Sequence, residues 1–173
     1  PAKRFDLVMS VNARAAFLAA HQVLPHMLER GWGHILMMSP PIVPAQAPHK
    51  TAYFISKYGM TLVAHGLAGE VADRGVACNA LWPAKMVESQ ATSNFGLGDR
   101  SLWRKAEILA DAALAVCSFA PAELTGNALI DEEILRRVGV DDLGAYACVP
   151  GSEPPRLDQL AAAMTHHKGG RTA

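Results

Sequence analysis

The chain has no surplus of either charge: sixteen Lys and Arg balance sixteen Asp and Glu over 173 residues. Without a basic footprint, nucleic acid and anionic membrane surfaces are not expected partners. Cysteine is scarce. The three present (Cys78, Cys117 and Cys148) are odd in number and far apart, with no Cys-x-x-Cys, which excludes a disulfide scaffold. A reduced, cytoplasmic compartment is the expectation. No continuous apolar run reaches the roughly 18 residues of a membrane span, and no signal-peptide pattern opens the chain, so no membrane association is expected. The seven histidines do not converge either. His21 and His26 diverge on a helix and His166-His167 fall near the end, so no metal site is expected. A Gly-rich phosphate loop is also missing, because Gly96-Leu-Gly98 follows no strand and lacks a third glycine. What is present is apolar material: 50% of the residues against 18% charged, enough to fill one core and to exclude a disordered chain.

The apolar residues alternate between helical spacing and short continuous runs. Val8, Val11, Ala15, Leu18, Leu24 and Met27 predict a helix over 6–30, with a kink or fresh turn at Pro25 and a stop at Gly31. His34–Met38 reads as a buried strand that Ser39-Pro40-Pro41 ends. A helix is predicted over 51–73, a strand over 76–82 closed by Pro83, and an irregular, mobile stretch over 84–102. A helix over 105–119, a strand over 127–130, a short helix over 132–138 and an edge strand over 145–149 complete the reading. Residues 1–150 are taken as one domain and 151–173 as a loose tail. Alternating helices and apolar strands imply an α/β fold with a parallel sheet and right-handed crossovers. Three parallel strands are few for an open sheet, so this sheet is expected to belong to a larger fold.

In such a sheet, ligands sit beyond the carboxyl ends of the strands. Ser39 lies at one such end. Tyr53 and Lys57, four residues apart, share one face of the following helix. An ammonium near a phenol favours the phenolate and lowers its pKa, which would let the pair exchange a proton with an alcohol or carbonyl oxygen near neutral pH. The spacing alone fits a solvated helix face equally well.

Taken together, Tyr53-Phe-Ile-Ser-Lys57, the upstream Ser39, Asn12 in Val11-Asn12-Ala13, and Asn79-Ala-Leu-Trp-Pro83 resemble the second half of a short-chain dehydrogenase/reductase. Ile35–Pro41, Ala52–Met60, and Leu124-Thr-Gly-Asn127 followed by Ile130-Asp131 resemble one branch. That branch holds hydroxysteroid dehydrogenase-like proteins and bacterial citronellol dehydrogenases. The resemblance implies a Rossmann-like, doubly wound parallel sheet without its N-terminal dinucleotide-binding half. It implies NAD or NADP as cofactor, Tyr53 as general acid/base, and Ser39 holding the substrate oxygen. Lys57 would bind the nicotinamide ribose and depress the Tyr53 pKa, and Asn12 would anchor a water that relays protons to Lys57. The backbone after Pro83, at Met86 and Val87, would meet the carboxamide. Two positions depart from the pattern: Ala84 stands where the family often has glycine, and Pro40 occupies the place, thirteen residues before Tyr53, where many members keep the serine.

The apolar loop residues Ile42, Val43, Met86, Phe95, Leu97, Leu102 and Trp103 suggest a hydrophobic alcohol or carbonyl substrate, such as a terpenoid, fatty or steroid-like molecule. The resemblance also implies a homo-oligomer, formed through the helices over 6–30 and 51–73. A second reading stays open beside the enzyme: a non-catalytic fragment or self-association module that cannot hold a dinucleotide.

Overall fold

The computed structural model describes residues 1–159. α1 (Ala2–Met9), a π-helical turn over Ser10–Arg14 and α2 (Ala15–Arg30) run on as one long helix. They are followed by β1 (Gly33–Met38), α3 (Thr51–Glu70), β2 (Val76–Trp82), α4 (Gln90–Asn94), α5 (Glu107–Ser118), β3 (Ala128–Ile130) and α6 (Asp131–Arg137). The strands lie in the order β1-β2-β3, all parallel, with Ile35 opposite Cys78 and Ala80 opposite Ala128.

β2 is central, and six of its seven residues are buried, which is why its sequence is a continuous apolar run rather than an alternation. Its side chains divide between two cores. Cys78 and Ala80 pack with Ile35, Met37, Ala64, Leu67 and Ala68 under α3 and α2. Leu81 packs with Ile108, Ala112, Val116, Ile134 and Leu135 under α5 and α6. Helices therefore cover both faces, the doubly wound arrangement that the alternation predicts. Asn79 is the polar exception in β2. It donates to the Leu124 carbonyl at 2.7 Å and accepts from the Asn127 amide at 3.0 Å, so it stitches the entry of β3 to the centre of the sheet.

One close approach requires glycine. Gly75, at φ +76°, turns the chain into β2 directly against the Gly31 backbone, where a Cβ would run into the Gly31 carbonyl. Gly31 itself ends α2 in the left-handed region, with its amide and that of Trp32 closing on Leu28 and Met27.

Several expectations are corrected. The long helix continues through Pro25, and its departure from α geometry lies upstream, at Ser10–Arg14. A proline removes one amide donor, and here Leu24, Met27 and Leu28 pack on the first core and hold the helix across it. That helix holds no continuous apolar run of membrane length, because Ser10, Asn12 and Arg14 interrupt it. Over Ala2–Arg30 it is nonetheless long and apolar enough, by length and composition alone, to cross a membrane. Residues 84–102 hold α4, whose capping box joins Ser89 and Thr92. The strand expected at 145–149 is a tight turn over Gly144–Tyr146 with one bridge, from Ala147 to Arg104. The segment after Pro150, expected to be loose, is held as far as it is described: the Leu157 amide donates to the Ala84 carbonyl at 2.9 Å, and Gln46 Nε2 donates to the Leu157 carbonyl at 2.6 Å. Residues 160–173 of that expected tail lie outside the described residues.

Candidate active site

The first turns of α3 stand beside the carboxyl end of β1. Lys57 makes the join: its Nζ donates to the Met38 carbonyl at 3.0 Å. Tyr53 and Thr61 lie one turn to either side of Lys57 on the same helix face. Thr61 points into the sheet. Its hydroxyl meets Ser39 Oγ at 2.7 Å, and Trp82 Nε1 donates to both, at 3.1 Å to Ser39 and 3.2 Å to Thr61. Ser39 is only 4% exposed, so in the ligand-free chain its hydroxyl belongs to an interior triad. Tyr53 is open by contrast, at 42% exposure, and among the described residues its hydroxyl has no hydrogen-bond partner. Its ring packs edge-on to Phe54, 5.4 Å between centroids.

The electrostatics differ from the sequence expectation. Burial raises the Tyr53 phenol above its ordinary value, and the nearby Tyr58 adds to the rise. Burial lowers Lys57. The lysine that was to depress the phenol pKa is spent on a backbone carbonyl, so desolvation decides for both groups. At neutral pH the phenol is therefore a protonated donor.

Asn12 sits in the π-helical turn, a device that re-aims side chains at functional positions in other helices. Its Nδ2 donates to Ser56 Oγ at 2.9 Å, and Ser56 Oγ donates to the Tyr53 carbonyl at 2.7 Å. Asn12 thus reaches the backbone of Tyr53 through Ser56, with no direct bond to Lys57. The approach is close because α3 carries Gly59 there: a Cβ would lie 2.9 Å from that of Ala13.

Beyond Pro83, the chain runs parallel to Arg104. The Arg104 amide donates to the Met86 carbonyl and the Glu88 amide to the Arg104 carbonyl, both at 2.8 Å. This pairing consumes the groups on either side of Val87. The amide and carbonyl of Val87 itself have no backbone partner among the described residues, and they suit a carboxamide, which needs one donor and one acceptor. The backbone of Val87 is thus free to meet a carboxamide such as that of a nicotinamide. The pyrophosphate end of a dinucleotide finds no counterpart among the described residues, since Gly96 stands clear of any close approach that would call for glycine.

Two participants escaped the sequence reading. Thr61 continues the Tyr53–Lys57 spacing by one further turn, and that periodicity could have found it. The segment Glu153–Leu157 crosses over the strand ends, and nothing in its letters signals the crossing.

Residues 1–97 match the short chain dehydrogenase family. The chain belongs to that family. It is 37% identical over its whole length to hydroxysteroid dehydrogenase-like protein 2 of Xenopus tropicalis, of which it spans 43%. A crystal structure from Xanthomonas campestris, assigned as a dehydrogenase, is 42% identical and superposes with a TM-score of 0.83 over 90% of this chain and 58% of the other. Another, from Beutenbergia cavernae, is assigned as an NAD(P)-dependent gluconate 5-dehydrogenase with NADP bound at low occupancy. It is 26% identical, with a TM-score of 0.67 over 76% of this chain and 57% of the other. The chain therefore spans less than half of the curated relative and under two thirds of these crystallised chains. Its sheet is the Rossmann-like sheet of these dehydrogenases, in the three strands described.

Proposed function

We propose that this chain carries the catalytic and substrate-binding part of an NAD(P)-dependent oxidoreductase that interconverts a hydrophobic alcohol and its aldehyde or ketone. The observation that supports it most is the Tyr53–Lys57–Thr61 face of α3 set against the carboxyl end of β1, with a free phenol at its outer end. Bound nicotinamide would supply the hydride chemistry. Tyr53 donates its proton to the substrate carbonyl oxygen; in the reverse direction the phenol must first ionise before it accepts the proton of the alcohol. Ser39 holds the same oxygen, exchanging its bonds to Trp82 and Thr61 for one to the substrate. Lys57 steadies the ribose end of the cofactor, and Val87 orients the carboxamide through its backbone, beside Pro83 and Met86. Asn12, bonded to Ser56, holds the Tyr53 backbone in place and anchors the water that relays protons toward Lys57.

Titrating NADH and NADPH into the chain, followed by nicotinamide fluorescence, tests this reading. Binding at micromolar levels that Lys57→Met weakens supports it. Binding indifferent to Lys57 contradicts the assigned role.

A second reading rests on the exposed apolar residues Leu7, Val11 and Leu18 of the long helix and Ile55 and Leu62 of α3. In it the chain pairs with a second copy through these helices and does not hold a dinucleotide. A concentration-dependent mass in sedimentation, with no NAD(P)H binding, favours this alternative.

A further inference from the structure

A cavity of about 200 Å³ lies over the carboxyl ends of all three strands. Pro41, Ile42 and Val43 wall it from the loop after β1, and Trp82 and Ile130 from the ends of β2 and β3. Its roof is the segment after Pro155, where Arg156 and Asp158 bring the only two charged side chains in the lining among the described residues. The roof is fastened at both sides. Leu157 pairs with Ala84 through its amide and with Gln46 through its carbonyl, and Arg156 bridges to Lys85. Beneath it, Trp82 also donates to Ser39, which ties the cavity to the proposed site.

Arg156, its side chain 34% exposed, lines this otherwise largely apolar cavity. Among the described residues its ion-pair partner is Asp158, through Nε at 3.5 Å. This contact leaves the two Nη groups, the fork that grips a carboxylate with two parallel hydrogen bonds, without a protein acceptor among the described residues. The neighbouring cation, Lys85, is already taken by Glu132 at 3.5 Å and Glu153 at 3.7 Å. The tethered roof fixes the backbone of Arg156 before any ligand arrives, which leaves only its side chain to be ordered on binding.

We propose that Arg156 is a specificity-determining residue, and that this cavity takes an amphipathic carboxylic acid with its chain against the apolar walls and its carboxylate on the Nη fork. A cavity of this size suits about eight to ten non-hydrogen atoms, judging from one of about 150 Å³ that accepts benzene. Calling that acid the substrate rests on the oxidoreductase reading. The binding preference does not.

Isothermal titration of the 173-residue chain with octanoate and with 1-octanol, without cofactor, tests the proposal. Octanoate is expected to bind at least about tenfold tighter than octanol, the scale of a charge-assisted hydrogen bond. Arg156→Met should erase that difference by weakening octanoate, and Asp158→Asn, which frees Nε, should strengthen it. Equal affinity for the two probes, or no heat from either, overturns the proposal. So does an Arg156→Met chain that melts normally and loses both ligands alike. A phosphate of the dinucleotide is the other anion that could seek this fork, and an NADPH titration separates the two: an Arg156→Met loss confined to NADPH also overturns it. The octanoate result is read without turnover, so it can fail while the role of Tyr53 stands, and the reverse.

Discussion

Two polar regions meet the carboxyl end of β2, one through Trp82 and one through Ala84, and are built in opposite ways. Near α6, Arg104 is 3% exposed; it donates to the Leu143 carbonyl at 3.0 Å and pairs with Glu132 at 3.2 Å. Lys85 and Arg136 also approach Glu132, and Asp131 accepts from the amides of Ala84 and Glu132. Each of these charged side chains has a protein partner, although Arg104 Nε is itself buried without a hydrogen-bond partner among the described residues. At the end of β1, Tyr53 has no hydrogen-bond partner among the described residues and Lys57 holds a single carbonyl. Matched charges fix the loop that leaves β2 and the turn before α6. Unmatched donors are what a reacting oxygen can use. Both regions follow from one rule, that buried polar groups must be satisfied, and the second is exempt because it is open to solvent and ligand.

The sharpest way to break this contrast is to remove the hub of the matched region. Arg104→Met leaves Glu132 buried with only its two longer contacts, and unfolding free energy in urea should fall by roughly 3 kcal/mol. A loss below about 0.5 kcal/mol, the range of ordinary surface changes, would mean that the cluster is not structural.

Next comes pH. Burial raises Asp131 from 3.8 to about 6 in the folded chain. Between these values the folded state binds the proton that the unfolded state has released. Stability is therefore fully present at low pH and declines as pH rises through 6, by about 2–3 kcal/mol for this group. Asp131→Asn should flatten that part of the stability curve, measured by denaturant unfolding at a series of pH values. An unchanged slope would assign the decline to other groups.

A smaller effect belongs to the link between the long helix and α3. Asn12→Ala removes the bond to Ser56, and its loss should cost about 1 kcal/mol of stability. It should also lower turnover with little change in substrate KM, because the Tyr53 backbone loses its support. Equal losses in a variant that only loosens the long helix elsewhere, such as Ala20→Gly, would remove the special claim for Asn12.

Much of this architecture is legible in the letters. The run Val76–Trp82 matches β2 residue for residue, because a strand buried on both faces leaves a continuous apolar signature. The pair Tyr53 and Lys57 is legible because helical spacing places them on one face. Three things were not legible, each because tertiary contact decides them. The Ser39 hydroxyl turns inward because Thr61 and Trp82, far away in sequence, offer it partners. The direction of the Tyr53 shift depends on burial and on where Lys57 spends its ammonium, which spacing does not encode. The segment Glu153–Leu157 reads as polar coil, yet it is held by Gln46 and Ala84.

Least of all should stability respond to loss of the Tyr53 hydroxyl, which bonds to nothing within the described fold. Tyr53→Phe is expected to shift unfolding by less than about 0.5 kcal/mol. The same substitution gives the most direct measurement of all, the single-turnover rate of carbonyl reduction with saturating NAD(P)H in the active protein. That rate should drop at least about a hundredfold, the usual contribution of a positioned acid or base. A rate equal to that of the unsubstituted protein would contradict the assignment of Tyr53 as the proton carrier.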